Sequence, residues 1–235
     1  MLSLALATAL VAGIIRGTTG FGGPAIMMLV LTQFYSPASV LVLVLLADYI
    51  ANVQLAFGAI RQAAWRFLTP LLIASTIGLP FGVYLLQAVE PMILKKTIAA
   101  VVGLCALLML SGWRFRSTPG LLASAITGIF GGIVVGATMI ALPVMTFIFS
   151  VPGDATTSRA TAISWGLVIS TALLGAYAYS GLLGLNDLWQ AGLITVAYMI
   201  GAYLGTRIFK TLSETMFRRV VLIALLTLSL IGITT

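Results

Sequence analysis

The stretch G-I-I-R-G-T-T-G-F-G-G-P occupies residues 13–24 and sits in an otherwise apolar part of the chain. It holds one arginine, Arg16, followed by four glycines and then Pro24. Glycine and proline interrupt helices, and a charged side chain inside a bilayer is costly and usually functional. The stretch therefore predicts a broken helix that carries a fixed positive charge within a membrane-embedded protein.

The composition around this stretch supports a membrane protein. Of the 235 residues, 61% are hydrophobic and 7% are charged, whereas a soluble domain carries about 25% charged residues. Charge-free runs at 17–47, 117–153 and 160–186 each exceed the roughly 18 residues that mark a spanning helix. The alternating pattern of an outer-membrane barrel is missing. We predict an all-α polytopic membrane protein, a single transmembrane transport domain.

Several classes of function are disfavoured by what the sequence lacks. The chain has no histidine, so histidine metal sites and Ser-His-Asp triads are excluded. Cys105 is the single cysteine, which excludes a disulfide framework. The net charge of +7 indicates loop asymmetry in a membrane protein, not nucleic-acid binding. We expect no cofactor, no metal and no enzymatic activity.

Two halves of the chain resemble each other, about 1–113 and 117–235. The following pairs match in order: Gly13 and Gly17 with Gly128 and Gly132, Pro37 with Pro152, Trp65 with Trp189, 78–82 with 201–205, and Lys95-Lys96 with Arg218-Arg219. Hydrophobic segments give five helices per half: 1–16, 22–34, 37–59, 66–87 and 92–112, then 118–134, 138–150, 153–181, 187–208 and 214–234. An odd number of segments per half predicts an inverted repeat, the architecture of many secondary transporters.

Charges set the orientation. Nine basic residues fall on the inner side if the 61–66 loop is cytoplasmic, and Lys95 and Lys96 fall outside with Glu90, in agreement with the positive-inside rule. Both termini are then periplasmic, provided that the short first two segments of each half form re-entrant hairpins. We expect a bacterial inner-membrane location, and the sequence leaves a homodimer open.

The first glycine break is the candidate binding site. A helix restarting near Pro24 directs its N-terminal N–H groups and dipole at the break, and a guanidinium suits carboxylate, sulfonate or phosphate oxygens. Donors outnumber acceptors here, so we predict a small oxyanion as ligand. The alternative is that the glycines only permit close packing and Arg16 snorkels to the interface. The first-half residues predicted to bind are Arg16, Thr18, Thr19, Gly20, Phe21, Gly22 and Gly23.

The second half repeats the break at 131–143 without an arginine, and its charge is predicted to come from Arg159. The second-half residues predicted to bind are Gly136, Thr138, Arg159, Ser164 and Trp165. Asp48 is the one acid predicted deep in the bilayer, and Asn52 lies one turn away on the same face. Asp48 is either a proton-coupling site or the structural counter-ion of Arg16, and the sequence leaves both open.

The chain resembles the TauE/SafE family of sulfite and organosulfonate exporters. The resemblance covers the whole chain and rests on G-T-T-G-F-G-G-P, on G-I-F-G-G-I-V-V-G-A-T-M-I-A-L-P at 128–143, and on P-G-D-A-T-T-S-R-A-T-A at 152–162. Where the family carries a fuller glycine run in both repeats, the second repeat here has Val135 and Ala137. The resemblance implies export of sulfite or of a small sulfonate such as sulfoacetate, driven by an ion gradient.

The prediction is therefore a secondary active transporter that exports a small oxyanion by alternating access, with the substrate and the lipid bilayer as its partners. Three alternatives remain. An uncoupled anion channel would keep its flux in Asp48→Asn, an uptake carrier for a small carboxylate or inorganic anion would share the same site, and an intramembrane enzyme would need a nucleophile with a base nearby.

Overall fold

The computed structural model describes residues 2–19, 21–112, 115, 117–182, 188–209, 222–223, 225–227 and 229–230. This part of the chain is helical and contains no strand. The helices that can be bounded are α1 (Leu2–Thr19), α2 (Gly23–Leu31), α3 (Pro37–Ala59), α4 (Trp65–Ala88), α5 (Pro91–Leu110), α6 (Leu121–Thr138), α7 (Leu142–Ser150), α8 (Ala155–Tyr179) and α9 (Leu188–Phe209). A 3-10 turn, Ile60–Gln62, joins α3 to α4.

Five of the described helices are long and apolar enough to cross a membrane: α3, α4, α5, α6 and α8. In the described part of the chain the predicted all-helical fold with several helices of membrane-spanning length is thus confirmed. Most boundaries lie within three residues of the predicted ones. The largest difference among the long helices is α6, which continues to Thr138 instead of ending at 134. The predicted segment 214–234 falls largely outside the described residues.

Glycines determine how the helices pair, because two pairs approach backbone to backbone. A Cβ added to Gly13 would lie 2.2 Å from the carbonyl oxygen of Tyr198 in α9, and one added to Gly17 would lie 2.1 Å from that of Ala202. From Gly13 to Gly17 the contacted residue moves from Tyr198 to Ala202, in the same direction along both helices, so α1 and α9 pack in parallel. Helices α6 and α4 pack in the same way: a Cβ added to Gly132 would lie 2.1 Å from the Ser75 carbonyl oxygen. Small residues at helix interfaces are the usual device for close packing in membranes.

Helices α1 and α2, and likewise α6 and α7, are separated by short breaks. Gly22 caps α2 with a φ of 86°, in the left-handed region, which glycine adopts at no steric cost. The second break uses Met139, with a φ of 59°. The backbone N–H of Phe115 donates to the carbonyl of Ser150 at 2.8 Å, so α7 ends beside the segment that leads into α6.

Helices α3 and α8 form the centre of the bundle. Both begin with a side-chain cap: Ser36 accepts from the Ser39 N–H, and Asp154 accepts from the Thr157 N–H at 3.0 Å. That backbone bond and the Thr157 hydroxyl lower the pKa of the exposed Asp154 carboxyl. The two helices pack along their lengths, and the polar residues halfway along them face the breaks.

Candidate functional site

The centre of the site is a buried ion pair between α1 and α3. Arg16 is 4% exposed and Asp48 is 5% exposed, and Arg16 Nε lies 3.1 Å from Asp48 Oδ1. A terminal nitrogen of Arg16 donates to Asn52 Oδ1, and Asn52 Nδ2 donates to Asp48 Oδ2 at 2.9 Å. The guanidinium therefore lies inside the protein, and the alternative that it snorkels to the interface is wrong.

The second half of the chain completes this network. Tyr198 in α9 is fully buried and donates its hydroxyl to Asp48 Oδ1 at 3.0 Å. Ser170 in α8 lies 3.5 Å from Asn52 Nδ2. Neither residue is predicted from the sequence, because Tyr198 and Ser170 lie in long apolar runs without a charge or a helix break to mark them.

A cavity of about 30 Å³ adjoins the ion pair. Its wall brings the two helix breaks together, with Phe21 and Gly22 from the first and Met139 from the second. Of the predicted site residues, those that line it are Arg16, Phe21, Gly22, Asp48 and Trp165. The remaining wall is largely apolar and includes Met145, Ile169 and Leu173. A concave, mostly apolar site with a few polar groups is the usual form of a small-molecule site.

Backbone geometry at both breaks favours an anion in this cavity. The first turns of α2 and α7 lie at its wall, through Gly22, Pro24 and Ala25 and through Ala141 and Leu142. Helix N-termini present unpaired N–H groups and a partial positive charge. Met139, a non-glycine residue in the left-handed region, is also in the wall. Such strained backbone conformations cluster at functional sites.

Trp165 and Gly166 form the α8 side of the wall. The indole N–H of Trp165 donates to Ser75 Oγ in α4 at 3.2 Å, which fixes the ring at the cavity. A Cβ added to Gly166 would lie 3.1 Å from Asn52 Oδ1 and 3.2 Å from an Arg16 terminal nitrogen. The glycine leaves the guanidinium accessible from α8.

Other predicted site residues lie behind this wall. Gly23 is packed under the Tyr198 hydroxyl, and Gly136 against the Leu79 carbonyl. Thr18 and Thr138 donate their hydroxyls to carbonyls one turn earlier in their own helices. These four residues pack near the two helix breaks and do not line the cavity. Gly20 and the side chain of Thr19 lie outside the described residues.

Ser164 is buried, and its hydroxyl has no hydrogen-bond partner within the described part of the chain. It does not line the cavity. Arg159 also lies elsewhere: it donates to the carbonyl oxygen of Gly17 at 2.7 Å and lines a second cavity of about 230 Å³. The two arginines that the sequence predicts to share one site thus occupy two neighbouring cavities.

A comparison with protein-family models matches residues 5–231 to the sulfite exporter TauE/SafE family. The chain belongs to the TauE/SafE family. Comparisons with curated proteins and with solved structures gave no match. Since the match spans nearly the whole chain, the broken helices and the Arg16 cavity lie within the residues that match the family.

Membership in the TauE/SafE family identifies the protein as a membrane transporter of the sulfur-anion exporter group. It agrees with the expectation that the chain is not an enzyme, and it implies a small anionic substrate and a bilayer around the protein. The resemblance noted from the glycine-rich stretches is confirmed.

Proposed function

We propose that the protein is a secondary active transporter that exports a small oxyanion, sulfite or a C2 organosulfonate such as sulfoacetate, by alternating access. One observation carries the proposal: a buried guanidinium and two helix N-termini meet at one cavity halfway along α3 and α8. A planar guanidinium binds two oxygens of an oxyanion at once. The tetrahedral or pyramidal oxygen face of a sulfonate or sulfite fits that geometry.

The inverted repeat, with halves 1–113 and 117–235, is part of this proposal, and matching backbone contacts support it. A Cβ added to Gly78 would lie 2.3 Å from the Ile129 carbonyl oxygen, and one added to Gly201 would lie 2.2 Å from the Leu10 carbonyl oxygen. In each case the fourth helix of one half packs on the first helix of the other. These contacts match α1 to α6 at an offset of 119 residues, one turn away from the offset of 115 in the sequence comparison. The same offset aligns Pro24 with Pro143.

With these registers the cavity lies on the pseudo-two-fold axis, and its two sides differ in charge. Arg16 corresponds to Val135, which also lines the cavity. The caps Ser36 and Asp154 align α3 with α8 at an offset of 118, which pairs Asp48 with Gly166. The first-half side of the cavity therefore carries both charged residues, Arg16 and Asp48, and the second-half side carries none. We propose a single oxyanion per cavity, held from the Arg16 side.

Alternating access follows from the size of the cavity. About 30 Å³ has room for one or two water molecules, so a sulfonate requires the walls to separate. The α1–α9 and α4–α6 pairs are locked by backbone contacts, and we propose that they move as rigid units. The interface between these two units, at the two helix breaks and along α3 and α8, opens toward one side of the membrane and then toward the other.

Asp48 is the proposed coupling residue, together with Asn52. Its carboxylate pairs with the guanidinium that the substrate needs, so Asp48 and an incoming anion compete for Arg16. Neutralisation of Asp48 by a proton would favour the anion and couple its movement to the proton gradient. In an inner membrane with the Arg61 and Arg66 loop inside, both termini would be periplasmic.

The test uses purified protein in proteoliposomes. Sulfite flux should depend on an imposed proton gradient, and thermal-shift measurements against sulfite, sulfoacetate, taurine, sulfate, phosphate and small carboxylates should give the largest stabilisation with the transported anion. Arg16→Ala should abolish flux, Arg16→Lys should retain part of it, and Arg207→Gln, which changes an exposed arginine, should transport normally. Gradient-independent flux that persists in Asp48→Asn would identify an uncoupled channel instead.

A further inference from the structure

The second cavity is formed where α3 ends, α8 begins and α9 approaches its C-terminus. Its polar lining consists of Gln62, Thr156, Arg159 and Thr206. None of the described acids lines it. The nearest acid in sequence, Asp154, caps α8 through the Thr157 N–H at the exposed end of the helix. Whatever hydrogen bonds Arg159 makes, its guanidinium keeps a full positive charge.

The position of this cavity relates it to the Arg16 site. Along α3, at 1.5 Å per residue, the lining passes from Asp48 in the first cavity to Leu55 in the second, about 10 Å away, and on to Ala59, about 16 Å away. Along α8 it passes from Gly166 back to Arg159, about 10 Å. The two cavities therefore lie one after the other along the interface between α3 and α8.

Mostly small apolar side chains form the α3–α8 interface at and beside the second cavity. Ala56, Ala59, Ala160 and Ile163 form a separate small apolar cluster, flanked by Leu55 and Leu167. Arg159 also reaches the end of α1, because it donates to the carbonyl of Gly17, the residue after Arg16. This hydrogen bond joins the cation of the second cavity to the helix that carries Arg16.

We propose that the Arg159 cavity is a second binding site for a small oxyanion, on the path between the Arg16 cavity and the end of the bundle where α8 begins. With about 230 Å³ it accommodates a sulfonate without rearrangement, unlike the Arg16 cavity. The Thr156 hydroxyl and the Gln62 amide supply hydrogen bonds at its mouth. The site rests on the proposed function for its substrate class, but its occupancy can be measured independently of transport.

The experiment places a cysteine in the cavity. Thr156→Cys in a Cys105→Ala background is treated with an anionic sulfonatoethyl or a cationic trimethylammonioethyl methanethiosulfonate reagent, and the ratio of the two rates is determined. Because a charged cleft raises the local concentration of opposite ions by tenfold or more, Arg159→Gln should lower the anionic-to-cationic ratio about tenfold. Arg159→Lys should largely restore it. Arg207→Gln, the matched control at the same end of the bundle, should change it less than twofold.

Protection by the substrate provides the second readout. Sulfoacetate, which unlike sulfite does not react with thiosulfonates or disulfides, should slow labelling of Thr156→Cys in the parent and in Arg16→Ala, but not in Arg159→Gln. An equal effect of Arg159→Gln and Arg207→Gln on the ratio would overturn the proposal, as would protection that disappears in Arg16→Ala, since the anion would then bind only at the first site. Gln62→Cys, on the opposite wall, repeats the measurement if Thr156→Cys does not fold. Failure of the Arg16 site alone would leave protection at Thr156→Cys intact.

Discussion

Asp48→Asn isolates the role of the buried ion pair, because it removes the negative charge and keeps the shape of the side chain. Asp48 accepts from Tyr198 at 3.0 Å and from Asn52 at 2.9 Å, and it lies 3.1 Å from Arg16 Nε. Removing one partner of a buried pair costs about 3–5 kcal/mol, since the other charge stays buried. The asparagine amide keeps a hydrogen-bond acceptor, so we expect a loss near the lower end of that range.

A bound oxyanion should reverse part of this loss, because it supplies a new negative charge beside Arg16. Ligand stabilisation follows concentration relative to Kd and reaches about 2.7 kcal/mol at a hundred times Kd. Without the competing carboxylate of Asp48 the anion binds more tightly. We therefore expect sulfite at one fixed concentration to raise the unfolding temperature of Asp48→Asn by more than that of the parent protein.

The assay is thermal unfolding of detergent-purified protein with and without sulfite. The double variant Arg16→Met/Asp48→Leu is the control: replacing both charges by apolar groups is often neutral or stabilising, so it should unfold near the parent temperature and show no sulfite effect. If Asp48→Asn unfolds like the parent and sulfite shifts both proteins equally, Asp48 neither stabilises Arg16 nor competes with the substrate, contrary to both expectations.

Two further predictions concern glycines. Gly166→Ala adds a methyl group 3.2 Å from an Arg16 terminal nitrogen at the cavity wall, so sulfite affinity in a binding titration should fall about tenfold or more while the unfolding temperature changes little; unchanged affinity would show that the anion does not approach Arg16 from α8. Gly17→Ala would place its Cβ 2.1 Å from the Ala202 carbonyl and should destabilise the protein by at least about 2 kcal/mol, as a forced shift in a packed interior does. Gly175→Ala in α8, which meets nothing within 4 Å, should instead be neutral or stabilising by up to about 1 kcal/mol, and equal behaviour of these two variants would contradict the packing described for α1.

The sequence predicted the membrane class, the helix order and the two breaks, because length, hydropathy and glycine placement are local properties. It also predicted that Asp48 and Asn52 share a face, since helical spacing requires this. The pairing of Asp48 with Arg16, one of the two roles that the sequence left open, is present in the structure. Whether Asp48 also couples transport stays a prediction.

The sequence could not indicate which side chains meet across helices. Tyr198 reaches Asp48 because Gly13 and Gly17 let α9 approach α1 closely, a contact between residues 150 positions apart. Arg159 was expected opposite Arg16, but it lies on α8 nearly two turns before Gly166, which faces the first cavity. The direction of each side chain on α8 decides which cavity it lines, and no motif in the sequence indicates that direction.

Trp165 lies in the wall of the Arg16 cavity, so its fluorescence reports whether the substrate binds beside Arg16. With Trp65, Trp113 and Trp189 replaced by phenylalanine, Trp165 becomes the sole tryptophan. We expect sulfite to change its fluorescence saturably, and Arg16→Ala to weaken that binding at least about thirtyfold, as loss of a buried charge partner costs 2 kcal/mol or more. Sulfite flux without any fluorescence change, or an unaltered Kd in Arg16→Ala, would contradict binding of the substrate beside Arg16.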